Sequence, residues 1–314
     1  MRIYFTTDLH GSEKCWLKFL GTSKFYSADV IIVGGDITGK FIVPIVKAKD
    51  GTYEATFLGR NHRTNDEAEI DRLKLRIANT GHYAFETYEE EYAAYKNDPG
   101  LIETLFRRLL LERVEHWVAL ADDRLSDTNV RCFVSGGNDD LFEIDDILKK
   151  SKVIQVPEGR IIDLGGFEML SLGYANITPW NCVRDIPEEE LSIKIETLAQ
   201  RIQRMDRAIF NIHVPPFDSS IDQAPKLTPD LQVVMVSAEP EMIPVGSTAV
   251  RDAIQKYQPM LGLHGHIHES RGFRKLGKTT IVNPGSEYSE GVLRGALIDL
   301  DQKKGIVRVN LVSG

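Results

Sequence analysis

Cysteine is scarce: three in 314 residues, Cys15, Cys132 and Cys182, far apart and without a CxxC pair. An odd, scattered set fits neither a disulfide framework nor a thiolate metal site, so a reducing, cytoplasmic home is expected. Long apolar runs are missing as well. Nothing approaches the roughly 18 apolar residues that cross a bilayer. The first apolar run is broken by Asp8 and His10, so no signal peptide is expected either. Positive charge is in deficit, 38 Lys and Arg against 46 Asp and Glu, a net charge of −8. That balance argues against a sequence-independent nucleic-acid binder or an anionic-membrane binder. A phosphate substrate survives the argument, because bound metal ions would dominate the local field.

What is present is an ample core, 42% hydrophobic residues, enough for one large α/β domain or a domain with an insertion. Residues 1–10 read as a β-branched and aromatic strand running into a polar tip, with Asp8 and His10 two residues apart and so on one face of an extended chain. Ser12 to Tyr26 has helix-compatible apolar spacing, and Ala28 to Val33 is a continuous apolar run of the kind buried on both faces. This β-helix-β opening indicates α/β.

From Phe41 the pattern changes. Phe41–Ala48 and Thr52–Leu58 about Asp50-Gly51 read as a β-hairpin, and a polar stretch follows around Arg60 to Glu67. Three helices are then predicted: one marked by Ile70, Leu73 and Ile77, one by Phe85, Tyr88, Tyr92 and Tyr95, and one over about 101–120. The aromatic stripe of the second reads as a buried helix face rather than a stacking surface for bases. Strand-then-tip design returns before Gly137-Asn138, before His213, and before His264-Gly265-His266-Ile267-His268. The stretch 217–244, punctuated by Pro and Ser, reads as a long loop, and the tail is β-rich.

Five strand ends therefore carry candidate ligands: Asp8 and His10; Asp36; Asn138; His213; His266 and His268. In open α/β sheets ligands bind outside the carboxyl ends of the strands. Seven oxygen and nitrogen donors exceed one tetrahedral zinc, which takes three or four. They suit two divalent ions bridged by one carboxylate, with Mn, Fe or Zn favoured by a donor set that lacks thiolate.

Asp8-X-His10, Gly35-Asp36-X-X-Gly39, Gly137-Asn138-X-Asp140, His213 and Gly265-His266-X-His268 resemble, in order, the five motifs of the calcineurin-like metallophosphoesterases. The resemblance leaves out about 41–127 and the 217–244 loop. It implies a four-layer sandwich, two mixed β-sheets flanked by helices, over residues 1–314, interrupted at 41–127 by a hairpin and three helices. It further implies that Asp8, His10 and His268 hold one metal and Asn138, His213 and His266 the other, with Asp36 as bridge. The implied activity is hydrolysis of a small-molecule or nucleotide phosphoester, a phosphodiester or activated ester foremost, by a metal-bridging hydroxide. Thr38-Gly39-Lys40 replaces the Asp-Arg of the protein-phosphatase branch, which points to the branch similar to cyclic-nucleotide phosphodiesterases. Asp139 stands where the family's third motif has a catalytic histidine. An anion there has no proton to give a leaving group, so a steep dependence of rate on leaving-group basicity is expected.

Two other readings compete. Gly34 to Lys40 matches the start of a P-loop, but Phe41 replaces the magnesium-binding Ser/Thr and no helix is predicted to follow. A non-catalytic metal-binding scaffold of the same fold would more often have lost ligands. The insertion must leave and re-enter near the metals, which places it to act as a lid, a substrate selector or a homo-oligomer contact. His264 reads as a support of the site or a structural residue, and Asn283-Pro284-Gly285-Ser286 as a structural turn. His62, His82 and His116 read as surface or packing residues.

Overall fold

The computed structural model describes residues 1–314. The chain opens with β1 (Arg2–Thr6), α1 (Glu13–Tyr26) and β2 (Val30–Val33). Ser12 caps α1 by accepting from the Cys15 backbone N–H, so the helix starts directly behind the first tip. Then come β3 (Ile42–Lys47), β4 (Tyr53–Phe57), β5 (Arg60–Thr64), α2 (Glu67–Asn79), β6 (Tyr83–Tyr88), α3 (Glu89–Asn97) and α4 (Pro99–Leu125). Next are β7 (Arg131–Val134), α5 (Glu143–Leu148), β8 (Ile154–Gln155), β9 (Ile161–Asp163) and β10 (Glu168–Leu172). The short pair β11 (Ala175–Asn176) and β12 (Asp185–Ile186) precedes α6 (Glu188–Ala199) and β13 (Ala208–Ile212). Four short strands, β14 (Gln223–Pro225), β15 (Met235–Val236), β16 (Glu239–Pro240) and β17 (Met242–Pro244), lead to α7 (Thr248–Tyr257). The chain ends with β18 (Leu261–Leu263), β19 (Gly272–Leu276), β20 (Thr279–Asn283), β21 (Arg294–Asp301) and β22 (Gly305–Ser313).

Two six-stranded sheets carry the architecture, β22-β21-β1-β2-β7-β8 and β19-β20-β18-β13-β10-β9. Both are mixed. β1, β2, β7 and β8 run parallel, with β21 antiparallel to β1; β10, β13, β18 and β20 run parallel, with β9 and β19 antiparallel at the edges. Alternate residues of each strand serve different layers. Ile3, Phe5, Val30, Ile32 and Phe133 of the first sheet pack against Met169, Ile209, Leu261, Leu263 and Val282 of the second. Tyr4, Ile31, Val33, Cys132 and Val134 face the other way, onto α1, α4 and α5. Leu170, Leu172, Phe210 and Ile212 face α6 and α7. Helices, sheet, sheet, helices: the four layers follow from that alternation.

Residues 41–127 hold the expected hairpin, β3 with β4, extended by β5 and β6 into a four-stranded sheet, β5-β4-β3-β6. Two local readings are corrected. The polar stretch after Leu58 contains a strand, β5, an exposed edge without a single apolar side chain. Phe85 and Tyr88 belong to β6, which pairs in parallel with β3, and the helix begins only at Glu89. The aromatic stripe is consequently not a buried helix face: α3 buries no side chain and Tyr88 is 65% exposed. Within 217–244 the chain forms two small antiparallel ribbons, β14 with β17 and β15 with β16. No helix is long and apolar enough to cross a membrane.

Candidate metal centre

The tips after β1, β2, β7, β13 and β18 meet at one end of the two sheets. Asp8, His10, Asp36 and His266 have left-handed backbones, with φ of 55°, 40°, 50° and 66°. Such conformations are uncommon for residues with a Cβ and concentrate where a side chain must be aimed. Glycines let the tips touch. A Cβ on Gly137 would land on the Asp36 carboxylate, and one on Gly265 on Thr7 and Asp8.

The ligand-type atoms form two groups that share a boundary. Asp8, His10 and His268 offer donor atoms within 4.8 Å of one another, and so do Asp36, His213 and His266. In the first group His10 Nε2 and His268 Nε2 are 3.0 Å apart, and Asp8 Oδ1 is 3.3 Å from His268 Nε2. Asp36 Oδ2 lies 3.4 Å from His213 Nε2 and 3.7 Å from His10 Nε2, so this carboxylate touches both groups. Asn138 donates through Nδ2 to Asp185 Oδ1 at 2.8 Å, while its Oδ1 is buried without a partner. His213 Nδ1 bonds the Gly34 carbonyl oxygen at 3.0 Å, leaving Nε2 buried and unpartnered. Orphaned lone pairs on an amide oxygen and an imidazole nitrogen, beside shared carboxylates, are what a cation would satisfy.

The electrostatics agree. Burial alone would raise the carboxyl of Asp36, but the neighbouring His213 holds it well below its ordinary value; for Asp8 the opposing partner is His268. Burial pushes His10 and His266 down to about 4. His213, equally buried, is lifted to about 9 by Asp36 and Asp8. Buried carboxylates that stabilise an imidazolium would stabilise a metal ion in the same way, and the ion would compete with the proton for the imidazole.

Several residues that the sequence reading did not assign keep the tips in place. Asp140, inside the third motif, accepts from the backbone N–H of Ile37 and Thr38, both at 2.9 Å, and of Gly137 at 2.8 Å, stitching the second tip to the third. Asp185 orients Asn138 and also accepts from Thr178 and Cys182. Buried Arg184 donates to the carbonyl oxygens of Asp140 and Leu141 and pairs with Asp145. Only Asp140 carried a sequence signal, its place in the motif. His264 supports the fourth tip, its Nδ1 bonding the carbonyl oxygens of Ile212 and Val214 on either side of His213. Ser286 donates to the Asp8 carbonyl oxygen, a structural use of the 283–286 turn. Asp139 lies at the mouth, its backbone N–H donating to Asp36 Oδ1 at 3.1 Å. His62, His82 and His116 stay outside the cluster; His116 bonds Glu13 and His82 stacks on Phe41. The 41–127 segment does return to the tips: Ser12 Oγ donates to the Asn79 carbonyl oxygen and the Gly39 N–H to Tyr83 Oη.

No family profile matches the chain. The uncharacterised protein MJ1162 of Methanocaldococcus jannaschii is 28% identical over 151 residues, 47% of this chain and 61% of that protein. Two solved structures superpose along nearly all of it. One aligns over 99% of this chain and 98% of its own at a TM-score of 0.59 and 15% identity. The other, TT1561 of Thermus thermophilus, covers 100% and 97% at 0.54 and 13%. The chain shares the fold of these two structures, two mixed six-stranded sheets flanked by helices. In this fold, two mixed sheets deliver ligand-type side chains from five strand ends to one point, as seen above.

Proposed function

We propose that the protein is a hydrolase that cleaves a phosphoester with two divalent metal ions, Mn, Fe or Zn. The observation that carries this is Asp36, whose single carboxylate touches both ligand groups. Asp8, His10 and His268 would hold one ion; Asn138, His213 and His266 the other. Bound there, the ions supply Lewis acidity and an acidified water. The chain's own part is positioning. Asp185 keeps the Asn138 amide oxygen turned inward, and the Gly34 carbonyl fixes the His213 tautomer so that Nε2 faces the site. The substrate we favour is a small phosphodiester or an activated ester, nucleotides included.

The test is a metal-loaded panel. Protein loaded with Mn²⁺ is expected to contain two ions per chain and to hydrolyse bis-nitrophenyl phosphate faster than nitrophenyl phosphate. Asp36→Asn should lose metal from both sites and more than 99% of turnover. Full occupancy and activity in that variant would refute the assignment. Two bound ions with no turnover on monoesters, diesters or cyclic nucleotides would make the protein a metal-binding scaffold.

A further inference from the structure

Lys40 ends the second tip, four residues beyond Asp36, and its Nζ lies 2.7 Å from Asp139 Oδ2. The pair is not an ordinary surface contact. His10, Asp36 and Asp139 offer ligand-type atoms within 4.8 Å of one another, so Asp139 adjoins both the ammonium and the candidate metal centre. The Asp139 backbone is tied to Asp36 Oδ1, and the Tyr288 ring sits 4.7 Å from that of His10 and 5.9 Å from that of His268, closing the neighbouring wall. Lys40 nevertheless keeps 40% of its side chain exposed and Asp139 26%. An ammonium has three donors. Asp139 is its ion-pair partner, and no hydrogen-bond acceptor elsewhere in the chain takes those donors. A cation held at the rim of a phosphate site, with donors to spare, has an evident ligand.

We propose that Lys40 is a substrate-contacting residue that donates to a phosphate oxygen, and that Asp139 is its positioning residue. This rests on the phosphoester reading. It also gives a reason for Asp139 itself. An isolated carboxylate at the mouth would repel phosphate; paired with Lys40 it forms a neutral unit that presents positive charge on its solvent side. The pair moves no proton in this role. It supplies a fixed charge where negative charge gathers.

The experiment measures metal content and, by calorimetry, orthophosphate binding to the Mn²⁺-loaded protein, for wild type, Lys40→Met, Lys40→Arg, Asp139→Asn and the double variant. Lys40→Met should keep the wild-type metal content, weaken phosphate binding about tenfold or more, the worth of one charge-assisted hydrogen bond, and lower kcat/KM at least as much. Lys40→Arg should recover most of both. Asp139→Asn should weaken phosphate binding when Lys40 is present and strengthen it in the Lys40→Met background, where only repulsion is removed; a merely structural salt bridge gives no such change of sign. Wild-type phosphate affinity in Lys40→Met would overturn the proposal while leaving the phosphoesterase reading intact. A wild type that binds phosphate through Lys40 but hydrolyses nothing would overturn the phosphoesterase reading alone. Absence of both metal and phosphate binding would overturn both.

Discussion

Glu158, outside the candidate metal centre, is expected to contribute to the pH dependence of stability. It accepts from the Gly173 N–H at 2.8 Å. Burial pushes its carboxyl up to about 7, against the opposing pull of Arg184. A carboxyl whose folded pKa exceeds its unfolded value near 4.5 binds its proton more tightly in the folded state. Its contribution to stability is full below about 4.5 and is lost as pH rises through about 7. Glu158→Gln keeps an acceptor for Gly173 and removes the ionisation. The variant should melt about 2–4 °C above wild type at pH 8, with the difference shrinking toward pH 4.5. Thermal unfolding at the two pH values checks this, and an equal difference at both would contradict it. Nothing in the sequence marked Glu158, since its environment is assembled from Arg184 and Gly173, far along the chain. The candidate ligands were legible for the opposite reason. Each sits at or just beyond the end of a buried strand, so local pattern and chemistry coincide. Asp185, which turns the Asn138 amide, had no such signature, and neither had the pairing of Lys40 with Asp139.

Among the elements, those whose apolar period matches their burial were readable. α2 buries Ile70, Leu73 and Ile77, the three positions that marked it. β2 is buried throughout, as a run of Val and Ile suggests. β5 was invisible because an exposed edge strand of Arg, Asn, His and Thr owes its existence to β4, and β6 was misread because aromatic spacing alone does not separate strand from helix. α4 is the element with most at stake. Its Trp117 stacks on Trp16 of α1, centroids 4.7 Å apart and planes 3° from parallel, and donates to Glu13 Oε2 at 2.7 Å. Trp117 is 1% exposed. Trp117→Ala should therefore cost about 3–5 kcal/mol, measured by denaturant unfolding. A loss under about 1 kcal/mol would mean that α4 does not brace α1.

For the molecule as a whole, the question is where the insertion ends. The sequence placed it at 41–127, because the motifs resume near Val130. Packing divides that segment. Val43, Ile45, Tyr53, Ala55, Phe57, Ile70, Leu73 and Ile77 form a small core of their own. Leu110, Val114, Trp117, Val118, Ala121 and Leu125 of α4 instead join the main core, with Ile31, Val33, Cys132 and Val134 of the first sheet. We therefore propose one domain over 1–314 in which α4 belongs to the frame and only the four-stranded sheet with α2 and α3 is an elaboration. No periodicity could reveal this, because the face of α4 is apolar whichever core it covers. Opening free energies follow buried contacts, so the two parts should separate in native-state hydrogen exchange. Amides of α4 should exchange only with global unfolding, together with β1 and β2. Those of β3 to β6 should exchange earlier, through a partial opening that leaves the frame intact. By the same reasoning, deletion of 41–127 should yield a chain that fails to fold, since it strips seven residues from the main core, six of α4 and Tyr83 of β6. If α4 exchanges in step with β3 to β6, or the deletion variant folds, α4 belongs to the insertion and the boundary lies after it.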